Sequence, residues 1–234
     1  MNRPVVLVHG AWHGAWCWQR VERLLSPTGV EVTTPTLTGL GDRSHLVSPQ
    51  VGLSTHVEDI IEHLERHDLD HVVLVGHSYA GFVVREAADR VPERIRVVGL
   101  LDAWFGNDGE SLASRAPQWF NDAMTESATT NGFGWLIPPP APELVGVTDP
   151  NDAACLVARL TPHPYRTFTD TTRLSGKVDA IPHRAAVCAD NIGLPFIDWA
   201  TTVDRDPIII PRGHDAMIIE PQAVADFIAD AASA

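Results

Sequence analysis

Gly76-His77-Ser78-Tyr79-Ala80-Gly81 follows directly on the apolar run Val72-Val73-Leu74-Val75, and no other stretch constrains the fold as strongly. A short β-branched run reads as a buried strand, and the segment from Phe82 to Arg90 reads as a helix. A serine on the sharp turn between them is held with its hydroxyl projecting from the end of the strand, as a nucleophile elbow. Such a turn needs small neighbours, because the strand and helix backbones nearly touch. Gly76 and Ala80 supply them. The pattern G-x-S-x-small alone is weak; the strand before it, the helix after it and a suitable downstream histidine give it force.

The chain has 234 residues, 44% of them hydrophobic and 20% charged. That suits one α/β core carrying an insertion. A formal net charge of −13 argues against nucleic acid or an anionic membrane as partner, since both need a basic face. Cys17, Cys155 and Cys188 are odd in number and widely spaced, so they fit neither a disulfide framework nor a zinc site. No apolar run is long enough to span a bilayer and no signal-peptide pattern precedes the first strand, so a cytoplasmic location is expected. The sequence leaves a homodimer open.

Strands are expected at Val5–Val8, Val30–Thr34, Val72–Val75, Ile95–Leu101, Arg184–Ala189 and Pro207–Ile210. Helices are expected between them, including one from Thr55 whose Thr55 and Glu58 stand in capping-box spacing. This alternation predicts a mostly parallel sheet with helices on both faces. The rhythm breaks between Trp104 and Val178, where Pro138-Pro139-Pro140 and several aromatic residues fall. Residues 1–103 and 179–234 are therefore read as the core and 104–178 as an inserted lid over the site. The fragment Gly39-Leu40-Gly41 is too short, and wrongly placed, for a dinucleotide site.

A serine hydroxyl needs a base within hydrogen-bond reach. His214, behind Gly213 and between the last strand and the last helix, is the expected general base among the eleven histidines. The chain order serine, acid, histidine leaves two acids at strand ends, Asp102 and Asp190, each with an ordinary turn or cap role as its alternative. The oxyanion requires two backbone N–H groups, assigned to Tyr79 and Ala11. His9 is read as an anchor of its loop through hydrogen bonds. Trp12, Trp16 and Trp18 are read as packing residues. No H-E-x-x-H or similar spacing calls for a metal, and no organic cofactor is expected.

His9-Gly10-Ala11-Trp12-His13-Gly14-Ala15-Trp16-Cys17-Trp18, with Gly76-His77-Ser78 and Gly213-His214-Asp215-Ala216-Met217, resembles the α/β-hydrolase group of plant methyl-ester esterases, hydroxynitrile lyases and their bacterial relatives. The resemblance covers nearly the whole chain. It implies an α/β-hydrolase fold and a cofactor-independent enzyme with a small-molecule substrate. Anchored on Gly193-Leu194-Pro195, the plant pattern places its acid on Asn191, one residue past Asp190. Asn191 cannot stabilise an imidazolium by charge, so Asp102 is favoured over Asp190.

The leading expectation is cleavage of a small to medium carboxylic ester, lactone or thioester through an acyl-enzyme. A lyase or retro-aldol carbon–carbon cleavage on the same groups is the alternative, and a non-catalytic binding protein is a further one. The resembling cyanohydrin lyases carry Thr and Lys where this chain has Gly10 and Asp215, and an acid there opposes cyanide departure.

Overall fold

The computed structural model describes residues 3–190 and 193–233. Its elements run β1 (Val5–Val8), α1 (Gln19–Leu25), β2 (Val32–Thr33), α2 (Leu53–Arg66), β3 (Val72–His77), α3 (Ala80–Arg90) and β4 (Ile95–Leu101). The segment that follows holds α4 (Leu112–Arg115), α5 (Gln118–Asn131), β5 (Leu136–Ile137), α6 (Pro150–Arg159), β6 (His163–Pro164) and α7 (Arg166–Thr169). The chain then returns through β7 (His183–Cys188), α8 (Phe196–Val203), β8 (Ile208–Ile210), α9 (Ala216–Ile219) and α10 (Pro221–Ser233).

Six strands form one sheet in the order β2-β1-β3-β4-β7-β8, with every neighbouring pair parallel. Side chains alternate across it. Val6, Val8, Leu74 and Val98 pack on the face covered by α2, α3 and α8, while Val5, Leu7, Val73 and Val97 pack on the face of α1, α9 and α10. A sheet buried on both faces explains why β1 and β3 read as continuous apolar runs. In α2, Leu53, Val57, Ile60, Ile61 and Leu64 form the buried stripe. Each such burial contributes at most about 1.5–3 kcal/mol.

Several element starts, among them those of α3, β7 and β8, differ from expectation by one or two residues, and for α2 and β2 the cause is visible. Helix α2 begins at Leu53, not Thr55: the Gly52 N–H donates to Thr55 Oγ1 at 3.3 Å, and the Leu53 N–H donates to Asp170 Oδ2 at 3.2 Å. A Cβ on Gly52 would lie 2.1 Å from that carboxylate oxygen, so only glycine lets a residue 117 positions away cap the helix. Strand β2 spans only Val32–Thr33, because as an edge strand it pairs with β1 at Val5 and Val6 alone.

The register aligns His77 with Leu101, Leu101 with Ala186, and Cys188 with Ile210. The carboxyl ends of the central strands thus share one edge of the sheet. Loops leaving that edge are where open α/β sheets bind ligands.

Candidate active site

Ser78 sits between β3 and α3 with φ of +53°, a left-handed conformation rare outside glycine. Its N–H donates to the Leu101 carbonyl at 3.1 Å, and its carbonyl accepts from Gly81 N–H at 3.0 Å and Trp104 N–H at 2.9 Å. The turn is clasped against the end of β4. A Cβ on Gly76 would stand 2.7 Å from the Ala80 carbonyl oxygen, which is the close approach expected of small residues there. Gly81 is as tightly placed, since its Cβ would fall 2.3 Å from the Trp104 carbonyl oxygen. Sequence spacing does not reveal that second constraint.

His214 follows β8 and reaches Ser78. The Ser78 hydroxyl donates to His214 Nε2 at 2.8 Å, and the Nδ1–H of His214 donates to Asp102 Oδ2 at 2.6 Å. Phe196 stacks on the imidazole at 5.6 Å between centroids and 10° between planes. Asp102 closes β4 with φ of +43° and is 1% exposed. Its second oxygen, Oδ1, accepts the Cys188 N–H at 3.0 Å, and its own N–H donates to the Ala186 carbonyl at 2.7 Å. The carboxylate is therefore held by the neighbouring strand β7. Asp190, two residues past the end of β7, is exposed, and its N–H donates to the Arg212 carbonyl at 3.4 Å. Asn191 lies outside the described residues.

Ala11 and Tyr79 lie beside Ser78, and among the described residues neither N–H has a protein acceptor. Three histidines brace the loop that carries Ala11. His9 Nδ1–H donates to the Gly10 carbonyl at 2.8 Å while its Nε2 accepts from Leu37 N–H at 3.1 Å, the anchoring expected of it. His163 Nδ1 accepts from Trp12 N–H at 3.4 Å. His13 hydrogen-bonds to the Ala11 carbonyl through Nδ1 at 2.7 Å and to Asp215 Oδ2 through Nε2 at 3.0 Å.

Burial sets the charge of these rings. It lowers His9 to about 3, with the neighbouring His13 and His56 adding to the effect. His77 is likewise held well below 6.5 by burial and by His214, so its Nε2–H, donated to the His214 carbonyl at 2.9 Å, belongs to a neutral ring. His13 is the exception. Burial would strip its proton, but the charge and hydrogen bond of Asp215, with the Ala11 carbonyl, hold its pKa above the ordinary 6.5. Asp215 is lowered correspondingly: its burial is outweighed chiefly by His13. The two are a buried ion pair. His13, Asp215 and His163 were not recognisable as a set in the sequence, for their partners lie up to 202 positions apart.

An apolar cavity of about 320 Å³ opens on Ser78 and His214. Trp104, Phe120, Met124, Phe168 and Leu194 wall it, and Trp119 and Leu144 are half exposed. Trp12 also lines it, which corrects the reading of that residue as packing alone. Trp18 is fully buried in the core. The Tyr79 hydroxyl adds no free polar group, since it donates to His56 Nδ1 at 3.0 Å. A larger groove of about 770 Å³ lies elsewhere, but its buried carboxylates Glu86 and Asp89 are taken up by backbone N–H groups of residues 173–178. Among the described residues, no group of three or more His, Cys, Asp or Glu side chains could hold a metal ion. No helix among them is long and apolar enough to cross a membrane, and no disulfide is present.

A parallel six-stranded sheet with a left-handed serine on its elbow, a histidine after the last strand and an acid between them defines a hydrolase of the α/β type. The chain matches the alpha/beta hydrolase family over residues 5–227 and belongs to it. It is 35% identical over 237 residues to a carbendazim-hydrolysing esterase of Nocardioides sp. (strain SG-4G), spanning 96% of this chain and 97% of that protein. Methylesterase 1 of Arabidopsis thaliana is 26% identical over 248 residues, 95% of this chain and 93% of that one. Among solved structures, an extracellular alpha/beta-hydrolase from a Paenibacillus species superposes with a TM-score of 0.86 at 22% identity, covering 98% and 99% of the two chains. Tomato methylketone synthase I superposes with a TM-score of 0.81 at 22% identity, covering 100% and 98%.

Proposed function

We propose that this α/β-hydrolase cleaves small to medium, uncharged carboxylic esters through an acyl-enzyme on Ser78. The observation that carries the reading is the relay from Ser78 Oγ to His214 Nε2 (2.8 Å) and from His214 Nδ1 to Asp102 Oδ2 (2.6 Å) at the mouth of an apolar cavity. Esterases among the relatives of nearly full length support it.

Ser78 Oγ attacks the ester carbonyl as His214 Nε2 takes its proton. Asp102 keeps the tautomer with its proton on Nδ1 and stabilises the imidazolium. The carbonyl oxygen, now anionic, accepts from the N–H groups of Ala11 and Tyr79. His214 then returns the proton to the departing alkoxide, and a water deprotonated by His214 releases the acid. Residues 104–178 act as the lid that shapes the acyl and alcohol sites. Among the described residues the cavity wall carries no Asp, Glu, Lys or Arg side chain, so an ionised substrate would lose its hydration without compensation.

The resembling cyanohydrin lyases carry Thr at the position of Gly10, and here a Cβ on Gly10 would lie 2.9 Å from both Ser78 Cβ and His77 Nδ1. This backbone leaves no room for one. A panel of p-nitrophenyl esters of increasing acyl length, run on the wild type and Ser78→Ala, tests the proposal. Hydrolysis by the wild type, single labelling by a fluorophosphonate and loss of both in Ser78→Ala are expected. Undiminished labelling in the variant would overturn it.

A further inference from the structure

The buried pair His13–Asp215 has no part in the relay, yet it touches both halves of the site. Asp215 directly follows His214, and its N–H donates to the Val145 carbonyl at 3.0 Å on the cavity wall. His13 lies two residues past Ala11, whose carbonyl it holds at 2.7 Å. Both ring nitrogens of His13 face acceptors only, a carbonyl and a carboxylate, so the arrangement is satisfied only when both carry protons. The pair is 3% and 0% exposed, where a charged couple is costly to assemble and contributes little net stability compared with apolar packing. Its position between the two loops points to a role other than stability.

We propose that His13 and Asp215 are positioning residues: their ion pair ties the loop of the base His214 to the loop of the oxyanion donor Ala11. The connection is short. From Asp215 it runs through the His13 ring to the Ala11 carbonyl, on the residue whose N–H faces the reacting carbonyl. The Gly10 carbonyl, in the same peptide unit as that N–H, is held from the other side by His9. His77 fixes the base loop independently through the His214 carbonyl. With the pair intact, the donor and the base keep one mutual distance. Without it, the Ala11 carbonyl loses its donor and the loop is held only at the flanking residues, at Gly10 by His9 and at Trp12 by His163, Ile137 and Thr161, so the donor drifts relative to the base. A displacement on the order of 1 Å, or loss of one oxyanion donor, costs about a hundredfold in turnover.

The inference rests on the proposed acyl-enzyme reading, and its test separates the two. Turnover is measured per active site, after titration with a fluorophosphonate, on p-nitrophenyl butyrate. His13→Ala is expected to lower kcat roughly a hundredfold with KM within about threefold. Affinity for a trifluoromethyl ketone, which forms an oxyanion on Ser78, should fall in parallel, while affinity for the corresponding alcohol stays unchanged. Because His13→Ala strands a buried carboxylate, the double variant His13→Ala/Asp215→Ala is measured beside it and should show the same loss. Asp215→Asn lets a neutral His13 still donate to the Ala11 carbonyl, so it should keep at least tenfold more turnover than His13→Ala. Wild-type per-site kcat in the double variant would mean that the stranded charge caused the loss, and would overturn the proposal. So would an Asp215→Asn as slow as His13→Ala. Labelling that survives in Ser78→Ala would overturn the underlying reading of the site instead.

Discussion

Two neighbouring strands of the sheet, β4 and β7, each end in an aspartate on the same edge, and the two ends differ in almost everything but residue type. Asp102 is buried and bent into a left-handed conformation, with one carboxylate oxygen on the Cys188 N–H and the other on His214. Asp190 is exposed, and among the described residues it offers its neighbours only a backbone N–H. An acid in the correct chain order is therefore not enough. A carboxylate orients an imidazole best when it is out of water with its second oxygen on a fixed donor, and Asp102, directly after β4, has both: it is buried and its Oδ1 accepts the Cys188 N–H of β7.

The sharpest way to break that contrast is to replace each acid by its amide. Asp102→Asn is expected to lower kcat by about four orders of magnitude, with the far-ultraviolet circular dichroism unchanged. Asp190→Asn should stay within about threefold of the wild type, as exposed substitutions away from a site do. A dead Asp190→Asn beside an active Asp102→Asn would reverse the assignment.

A second prediction concerns what clasps the elbow to the end of β4. Gly81→Ala puts a methyl 2.3 Å from the Trp104 carbonyl oxygen, so the segment after Asp102 must shift. Denaturant unfolding should show a loss of about 1–3 kcal/mol. The same change at Gly193, near the end of β7, adds a Cβ that meets nothing within 4 Å, although its φ of +77° strains any side chain. Gly193→Ala should therefore cost only about 1–2 kcal/mol and leave turnover unaltered. Equal loss of turnover in both variants would remove the distinction between the two ends.

Acid should weaken the site end of the molecule. His9, His56, His77 and His163 are all held below 6.5 by burial, so the native protein leaves them neutral where the unfolded chain binds protons. Their contribution to stability is present above about pH 6.5 and is lost as pH falls, by up to about 1.4 kcal/mol per pH unit for each ring. His13, raised above 6.5, has the opposite sign: its contribution is complete below that pH and is lost as pH rises through the raised value. Urea midpoints between pH 7 and pH 5 should fall steeply. Midpoints that stay level would mean that these rings take up protons in the folded state.

The smallest effect is expected at the cavity mouth. Trp119, half exposed there, should cost less than about tenfold in kcat/KM when replaced by Ala, with the loss confined to longer acyl chains. A larger loss on acetate esters would place Trp119 against the reacting group itself.

Much of this was legible in the residues because it is local. Apolar runs mark β1, β3 and β4, the helical stripe of Val57, Ile60, Ile61 and Leu64 marks α2, and Gly76 with Ala80 marks a turn where a strand and a helix nearly touch. Each depends on an unbroken apolar run, on a period of 3.6 residues or on the space left at one position, which neighbouring residues alone determine. The order of strands across the sheet is of another kind. It brings Leu101 beside Ala186, and so gives Asp102 the N–H of Cys188 and a place beneath His214, with no trace of this in the spacing of either segment. The cap that Asp170 places on α2, the Trp12 side chain in the cavity wall and the pairing of His13 with Asp215 are likewise tertiary. For each, the deciding quantity is how far a group lies from water and from one partner many positions away, and that is defined only once the chain has folded.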